Sequence, residues 1–498
     1  MTTDPLDLGR SRTGEPATEL KALRQLADQA FARAAGAPLV AGNSVRILKD
    51  AGENYPAWRE AICAAQRNIL FESYIIGNDA IGREFVALLA ERARAGVHVR
   101  LIYDWLGTQG ARSLFRPLVD AGGEVRMFNP PRFDSPFGWL TRDHRKTIVV
   151  DGRVGFVTGL CASDRWLGDP SRGLGPWRDT GVEIRGPAVA DLEAAFDDVW
   201  ATAGRACPAE DLTPRESIPA AGDMELRVVA SVPSSGGLFR LDQLVAAAAR
   251  ERLWLTDAYF VGVTPYVQAL CAAARDGVDV RLLVPGASDV PLVSRLSRAG
   301  YRPLLECGVR VFEWNGSMLH AKTAVADDRW ARVGSTNLNL ASWLTNYELD
   351  VAVEDERFAA QMAAMYEEDL ACATEIVLRP GRRGQRVRPA SGAVRQRREL
   401  SGSAGRAAAG ALSVGAAVGA ALTNRRVLEP AEANLLATVA LVLLAVAVVA
   451  LLWPPALALP IALITGWLGI VMLLKARRLR RQRAELLDRG RRAVRPAS

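Results

Sequence analysis

A chain of 498 residues has room for two cored domains and a tail at about 150 residues per domain. Hydrophobic residues at 49% and charged ones at 23% exclude wholesale disorder, and 43 glycines and 26 prolines without a period exclude a collagen-like or low-complexity chain. The formal charge of +7 hides two opposite parts: from Arg379 onward 21 Lys/Arg face 5 Asp/Glu, a net of +16, which leaves −9 for residues 1–378. An acidic body with a basic tail argues against a nucleic-acid enzyme and for a tail that meets anionic lipid.

Residues 1–40 read as an N-terminal extension. It has no basic start and no apolar run, so no secretory signal is expected. Within it, Ala17–Ala35 carries Leu20, Leu23, Leu26 and Phe31 at helical spacing. From Ser44 the pattern predicts a strand Val45–Leu48, a helix Ala57–Gln66, a strand Asn68–Ile76, a helix Gly82–Ala95 and a strand Val97–Tyr103. Such alternation predicts an α/β fold with helices covering a sheet.

The same order returns. Ile69-Leu-Phe-Glu-Ser-Tyr74 is answered by Leu253-Trp-Leu-Thr-Asp-Ala-Tyr259, and Ala95-Gly-Val-His-Val-Arg-Leu101 by Asp276-Gly-Val-Asp-Val-Arg-Leu282. A period of about 181 residues is too long for a solenoid and predicts two similar domains, 41–202 and 224–378, around a pseudo-twofold axis. Residues 203–223 read as the linker, and a site at the shared face is expected.

Beyond Leu378, residues 379–434 form a basic linker that includes Arg395-Gln-Arg-Arg398 and the small-residue run Ala407–Leu422. Leu435–Trp453 and Ala456–Leu474 then give 19 uncharged residues each, parted by Pro454-Pro455. Each is about 28 Å long as a helix, against a hydrocarbon core of roughly 30 Å. A transmembrane hairpin over 435–474 is expected, with a basic tail over 475–498. Arg425 and Arg426 before it and six basic residues from Lys475 to Arg483 after it place both ends, and the body, on the cytoplasmic side of the inner membrane. The six cysteines show no C-x-x-C pair and read as reduced, mostly buried thiols.

Two of the three histidines share one pattern: His144-Arg-Lys146-Thr-Ile-Val-Val-Asp151 and His320-Ala-Lys322-Thr-Ala-Val-Ala-Asp327. H-x-K-x4-D once in each half is not two accidental histidines. The third, His98, faces Asp279 in the repeat and is given no role. On a strand, His and Lys at i and i+2 share a face and address one ligand. Lysine offers charge to phosphate oxygens without a metal, one imidazole can attack phosphorus, and the other can move the proton. No carboxylate/histidine cluster has metal-site spacing, so neither metal nor cofactor is expected.

A nucleophilic imidazole needs a partner that fixes its tautomer. Asp179 and Glu348, 35 and 28 residues after the histidines of their own halves, are the candidates. Asp151 and Asp327 complete the catalytic motif and, beside turns, also suit structural salt bridges. Gly334-Ser-Thr-Asn337 offers Ser335 and Asn337 as phosphate donors, where the first half has Thr158-Gly-Leu-Cys161.

Together with Arg142-Asp-His-Arg-Lys146, Trp177-Arg-Asp-Thr180, Gly186-Pro-Ala-Val189, Met318-Leu-His-Ala-Lys322 and Gly334-Ser-Thr-Asn-Leu338, these motifs make residues 40–375 resemble the phospholipase D superfamily, and within it the bacterial cardiolipin synthases. The resemblance implies two phospholipase D-type α-β-α sandwich domains and a phosphatidyltransferase that joins phosphatidylglycerol to a second phospholipid through a phosphohistidine. It also implies His144 as nucleophile, His320 as acid/base, and Asp179 and Glu348 as imidazole partners. The chain departs from the family pattern with Cys161 for Asn, Asn339 and Ala341 for Asp and Arg, Ala258 for Pro, and a C-terminal hairpin. Hydrolysis to phosphatidic acid is the alternative when water is the acceptor. A nuclease of the superfamily is a further alternative, disfavoured by the acidic body, and a non-catalytic membrane scaffold is disfavoured by the complete His/Lys pairs.

Overall fold

The computed structural model describes residues 26–110, 112–131, 140–378, 441, 444–453 and 455–493. The first half supplies strands β1 (Val40–Lys49), β2 (Asn68–Ser73), β3 (His98–Asp104), β4 (Glu124–Phe128), β5 (Lys146–Val150), β6 (Val154–Thr158) and β7 (Thr180–Arg185). The second supplies β8 (Met224–Ser231), β9 (Arg252–Thr256), β10 (Asp279–Pro285), β11 (Arg310–Trp314), β12 (Thr323–Ala326), β13 (Trp330–Gly334), β14 (Glu348–Glu354) and β15 (Ala373–Ile376). All join one sheet in the order β15-β11-β10-β9-β12-β13-β14-β8-β1-β7-β6-β5-β2-β3-β4.

That order repeats. Read outward from the centre, β8-β14-β13-β12-β9-β10-β11 mirrors β1-β7-β6-β5-β2-β3-β4, and the halves meet where β1 runs antiparallel to β8, pairing Val40 with Leu226. Helices Asp50–Ala64 and Ala80–Arg94 cover one face of the first half, and Gly237–Ala248 and Thr264–Arg275 cover the matching face of the second. Helices Val189–Thr202 and Glu356–Ala371 cover the other face. Phe196 and Trp200 of one and Phe358 and Met362 of the other belong to a single apolar core shared by both halves. Inner strands such as β5 and β6 are buried on both faces, so they read as apolar runs such as Thr147-Ile-Val-Val150 and not as alternation.

Several bounds differ from the sequence reading. The first helix starts at Asp50, not Ala57, because Gly52 and Pro56 look like turn residues but lie inside it. The first strand extends back to Val40 because it pairs with β7 and β8 at once. The N-terminal helix is described over residues 26–35 only, and residues 17–25 lie outside the described residues. The 203–223 linker is packed onto the first half: Asp211 pairs with Arg100, and the Thr213 amide donates to Glu193 at 2.6 Å. The reduced-thiol expectation is overturned at one pair, since Cys271 and Cys307 form a disulfide between the helix Thr264–Arg275 and the end of Tyr301–Glu306. Cys161 and Cys207 are buried thiols, whereas Cys63 and Cys372 are exposed.

The 379–434 linker and, of the expected first span, residues 435–440 and 442–443 lie outside the described residues. Among the described residues no helix is long and apolar enough to cross a membrane. The helix Pro455–Ala493 does expose Leu459, Ile461, Leu463, Ile470, Met472 and Leu473.

Candidate active site

Both histidines sit just before the central strands β5 and β12, so the pseudo-twofold axis brings them to one place between the halves. The backbone then interlocks the halves there. His144 donates its amide to the Tyr347 carbonyl at 2.9 Å and Tyr347 donates to Arg142 at 2.8 Å, while His320 donates to Arg178 at 2.7 Å and Arg178 to Met318 at 2.8 Å. Each histidine is thereby stitched to the residue just before the other half's carboxylate.

The consequence corrects the sequence reading. Glu348, in the second half, lies 2.9 Å from Nδ1 of His144 in the first, and Asp179, in the first half, lies 2.7 Å from Nδ1 of His320 in the second. The carboxylates are exchanged, not paired within halves. Both are fully buried, while the His144 and His320 side chains keep 13% and 7% exposure.

Electrostatics fix the resting charges. Burial lowers His144 below the ordinary imidazole range, against the pull of Glu348. Burial, then the Lys322 ammonium, lower His320 to about 4 against the pull of Asp179, so both imidazoles are neutral at rest. Burial works against the charge of Asp179, yet His320, Lys322 and the Trp166 indole together hold it at about 2. Glu348 is likewise opposed by burial and held low by His144, Lys146 and Ser335. Burial brings Lys322 down to about 8. Lys322 also depresses His144, and Lys146 depresses His320, so the four groups share one field.

The lysines differ in what they hold. Lys146 Nζ donates to the backbone carbonyl of His144 at 2.5 Å. Lys322 Nζ lies 2.9 Å from Nδ1 and 3.1 Å from Nε2 of His320, and also bonds that residue's carbonyl. Among the described residues nothing bonds Nε2 of His144.

The remaining candidates fall in three places. Asp151 and Asp327 stand at the far ends of β5 and β12 with φ of 56° and 48°, away from the imidazoles. Among the described residues neither makes a side-chain salt bridge; each carboxylate accepts backbone N–H groups that open the neighbouring strand, Arg67 and Asn68 for Asp151 and Glu251 and Arg252 for Asp327. Ser335, expected to face phosphate, donates its hydroxyl to Glu348 at 2.6 Å. Asn337 is buried with its amide oxygen unbonded, and its counterpart Cys161 is a buried thiol that burial makes less acidic. His98 lies on the surface, 3.3 Å from Asp211.

Two tyrosines escaped the sequence reading. Tyr74 meets His144 edge-on at 5.0 Å with Lys146 Nζ 5.3 Å from its ring, and Tyr259 meets His320 at 5.8 Å with Lys322 Nζ 5.9 Å away. Both close the repeated strand segments that revealed the duplication, and recurrence of the same aromatic there was the available signal. Among the described residues no group of three or more His, Cys, Asp or Glu side chains could hold a metal ion.

Two His/Lys pairs on a duplicated sheet, each imidazole clamped by a carboxylate from the opposite half, define a phospholipase D-like enzyme. A family model described as "Cardiolipin synthase, PLD-like domain" matches residues 243–370. Cardiolipin synthase A of Pseudomonas aeruginosa is 36% identical over 358 residues, 70% of this chain and 71% of that protein. The cardiolipin synthase of Halalkalibacterium halodurans is 33% identical over 356 residues, 69% of each chain. The crystal structure of phosphatidylserine synthase from Haemophilus influenzae shares the fold, with a TM-score of 0.56 at 16% identity over 70% of this chain and 91% of that one. The chain belongs to the cardiolipin synthase family and is an enzyme of the phosphatidyltransferase kind.

Proposed function

We propose that the enzyme makes cardiolipin from phosphatidylglycerol and a second phospholipid by way of a phosphohistidine on His144. The observation that carries this reading is the difference between the two imidazoles. His144 has its Nδ1 engaged by Glu348 and its Nε2 free among the described residues, whereas Lys322 crowds both nitrogens of His320. A neutral imidazole with a fixed Nδ1–H and an open Nε2 is a competent nucleophile.

In the first step Nε2 of His144 bonds to phosphorus and the bond to the glycerol oxygen breaks. His320 takes up a proton from solvent at Nε2 once the anionic phosphodiester offsets the Lys322 charge, gives that proton to the leaving oxygen, and glycerol departs. In the second step a lipid hydroxyl gives its proton to His320 and bonds to phosphorus as the bond to His144 breaks. Lys146, Lys322 and the Asn337 amide hold the phosphoryl oxygens, whose charge grows along the path. Asp151 and Asp327 act at a distance, by fixing strand ends.

The uncharged runs 435–453 and 456–474 support a membrane hairpin, and the flanking basic residues support a body on the cytoplasmic side. Lipid substrates then reach the site from the same bilayer, with no nucleic acid involved.

The test is to incubate the detergent-solubilised protein and His144→Ala with headgroup- and chain-labelled phosphatidylglycerol and follow lipids by mass spectrometry. Cardiolipin plus free glycerol, absent with the variant, is expected. Phosphatidic acid plus glycerol instead would make the enzyme a hydrolase.

A further inference from the structure

We propose that Trp166 is the positioning residue of the His320 side: its indole N–H holds Asp179 in the orientation that fixes the His320 tautomer, as Ser335 does for Glu348 and His144 in the other half. The proposal rests on His320 being the acid/base of the reaction.

In the second half the Ser335 hydroxyl donates at 2.6 Å to Oε2 of Glu348, the oxygen that lies 2.9 Å from His144. The first half cannot copy this. Gly159 takes the place of Ser335, at the same offset from its motif aspartate, and a Cβ there would stand 2.1 Å from Oδ1 of Asp179. No hydroxyl-bearing side chain fits, so the second donor must come from elsewhere.

It comes from the short helix Asp164–Trp166. Trp166 is buried at 1% exposure, and its Nε1–H donates at 2.9 Å to Oδ2 of Asp179, the same oxygen that lies 2.7 Å from Nδ1 of His320. The Thr180 amide takes Oδ1 at 2.9 Å, so the carboxylate is pinned at both ends. The indole also stands edge-on to the His320 ring at 5.4 Å and 87°, a second restraint on the same imidazole. With Oδ2 fixed opposite Nδ1, the proton stays on Nδ1 and Nε2 is the nitrogen that exchanges protons with the reactants. A hydrogen bond to the charged carboxylate also draws charge from it, which weakens its hold on an imidazolium. Trp166 therefore sets how readily His320 gives its proton away, and a Ser/Trp difference sets the two halves apart.

Three histidines in the chain make the test direct. Full-length protein labelled with 15N-histidine is titrated by NMR as the parent, as Trp166→Phe and as Trp177→Phe, whose ring lies 5.6 Å from His320. Trp166→Phe removes the N–H and keeps an aromatic ring. The His320 midpoint is expected to rise by about one unit in Trp166→Phe and to stay in place in Trp177→Phe. An unmoved midpoint in Trp166→Phe, or an equal shift in both variants, would overturn the proposal. Should Trp166→Phe fail to fold, the Trp166 indole signal of the parent, labelled with 15N-tryptophan, decides. It is expected to move with the His320 midpoint, and indifference to that titration would overturn the proposal. Neither readout requires turnover, so a failed lipid assay counts against the cardiolipin reading and leaves this one standing.

Discussion

His144 is held 2.9 Å from Glu348, a carboxylate 204 residues later in the other half of the chain. His320 and Asp179 repeat the relationship in reverse at 2.7 Å. Neither half holds a complete site, so the activity depends on how the halves meet.

The exchange makes carboxylate variants act across the axis. Glu348→Gln is expected to slow phosphoenzyme formation at His144 by about 10²-fold or more, the usual scale of a lost acid/base orientation. Asp179→Asn is expected to impair the proton transfers at His320. Rapid-quench kinetics with a good leaving group separates them, because such a substrate needs little proton donation and spares Asp179→Asn. Equal loss in both variants would argue against the cross-half assignment.

The pH profile follows from two depressed groups. Lys322, lowered to about 8 in the free enzyme by burial, loses its charge as pH rises through that value, so kcat/KM is expected to fall on the alkaline side with a midpoint near 8. His320 makes its own contribution to stability with a definite sign. Its folded value of about 4 lies below the ordinary 6.5, so its share of stability falls as pH drops from 6.5 through 4. Asp143 and Asp257, both raised to about 7 by burial, act in the opposite sense over that window, so the His320 share is read as the difference in denaturation midpoint between the parent and His320→Gln. A difference that stays constant with pH would contradict the buried neutral imidazole.

Arg178 ties the halves together. Its guanidinium, buried to 4% exposure, bonds Asp369 of the second half at 2.7 Å and Asp50 of the first at 3.1 Å. Arg178→Met leaves Asp369 buried without its partner and is expected to cost about 3–5 kcal/mol. Urea denaturation measures it, and a change below 1 kcal/mol would show the pair to be dispensable.

Sidedness is testable through the two exposed thiols, Cys63 and Cys372. In inside-out vesicles a charged maleimide is expected to label both, and in right-side-out vesicles neither. The reverse pattern would place the body on the outer side, where the Cys271–Cys307 disulfide is at home.

Much of the fold was legible because it occurs twice. The repeats around Tyr74 and Tyr259 and the paired H-x-K motifs announce the duplication that the strand order of the sheet displays. What the sequence concealed was contact between halves. Asp179 follows His144 in the chain, and only the pairing of Arg178 with Leu319 and of Asp143 with Tyr347 reveals that each carboxylate crosses over. Ser335 looked like a phosphate donor because a hydroxyl beside Asn337 suits an anion, but its hydroxyl is committed to Glu348. The Cys271–Cys307 bridge was hidden for a similar reason: 36 residues separate two positions that the packing of their helices brings together.

The most direct measurement is to mix phosphatidylglycerol labelled at phosphorus with enzyme, quench at short times under alkaline conditions that preserve phosphohistidine, and map the label by peptide mass spectrometry. Phosphatidyl label on the peptide carrying His144, formed before cardiolipin and lost in Glu348→Gln, is the expected result. Label on His320, or cardiolipin formed with no covalent adduct at any time, would contradict the mechanism.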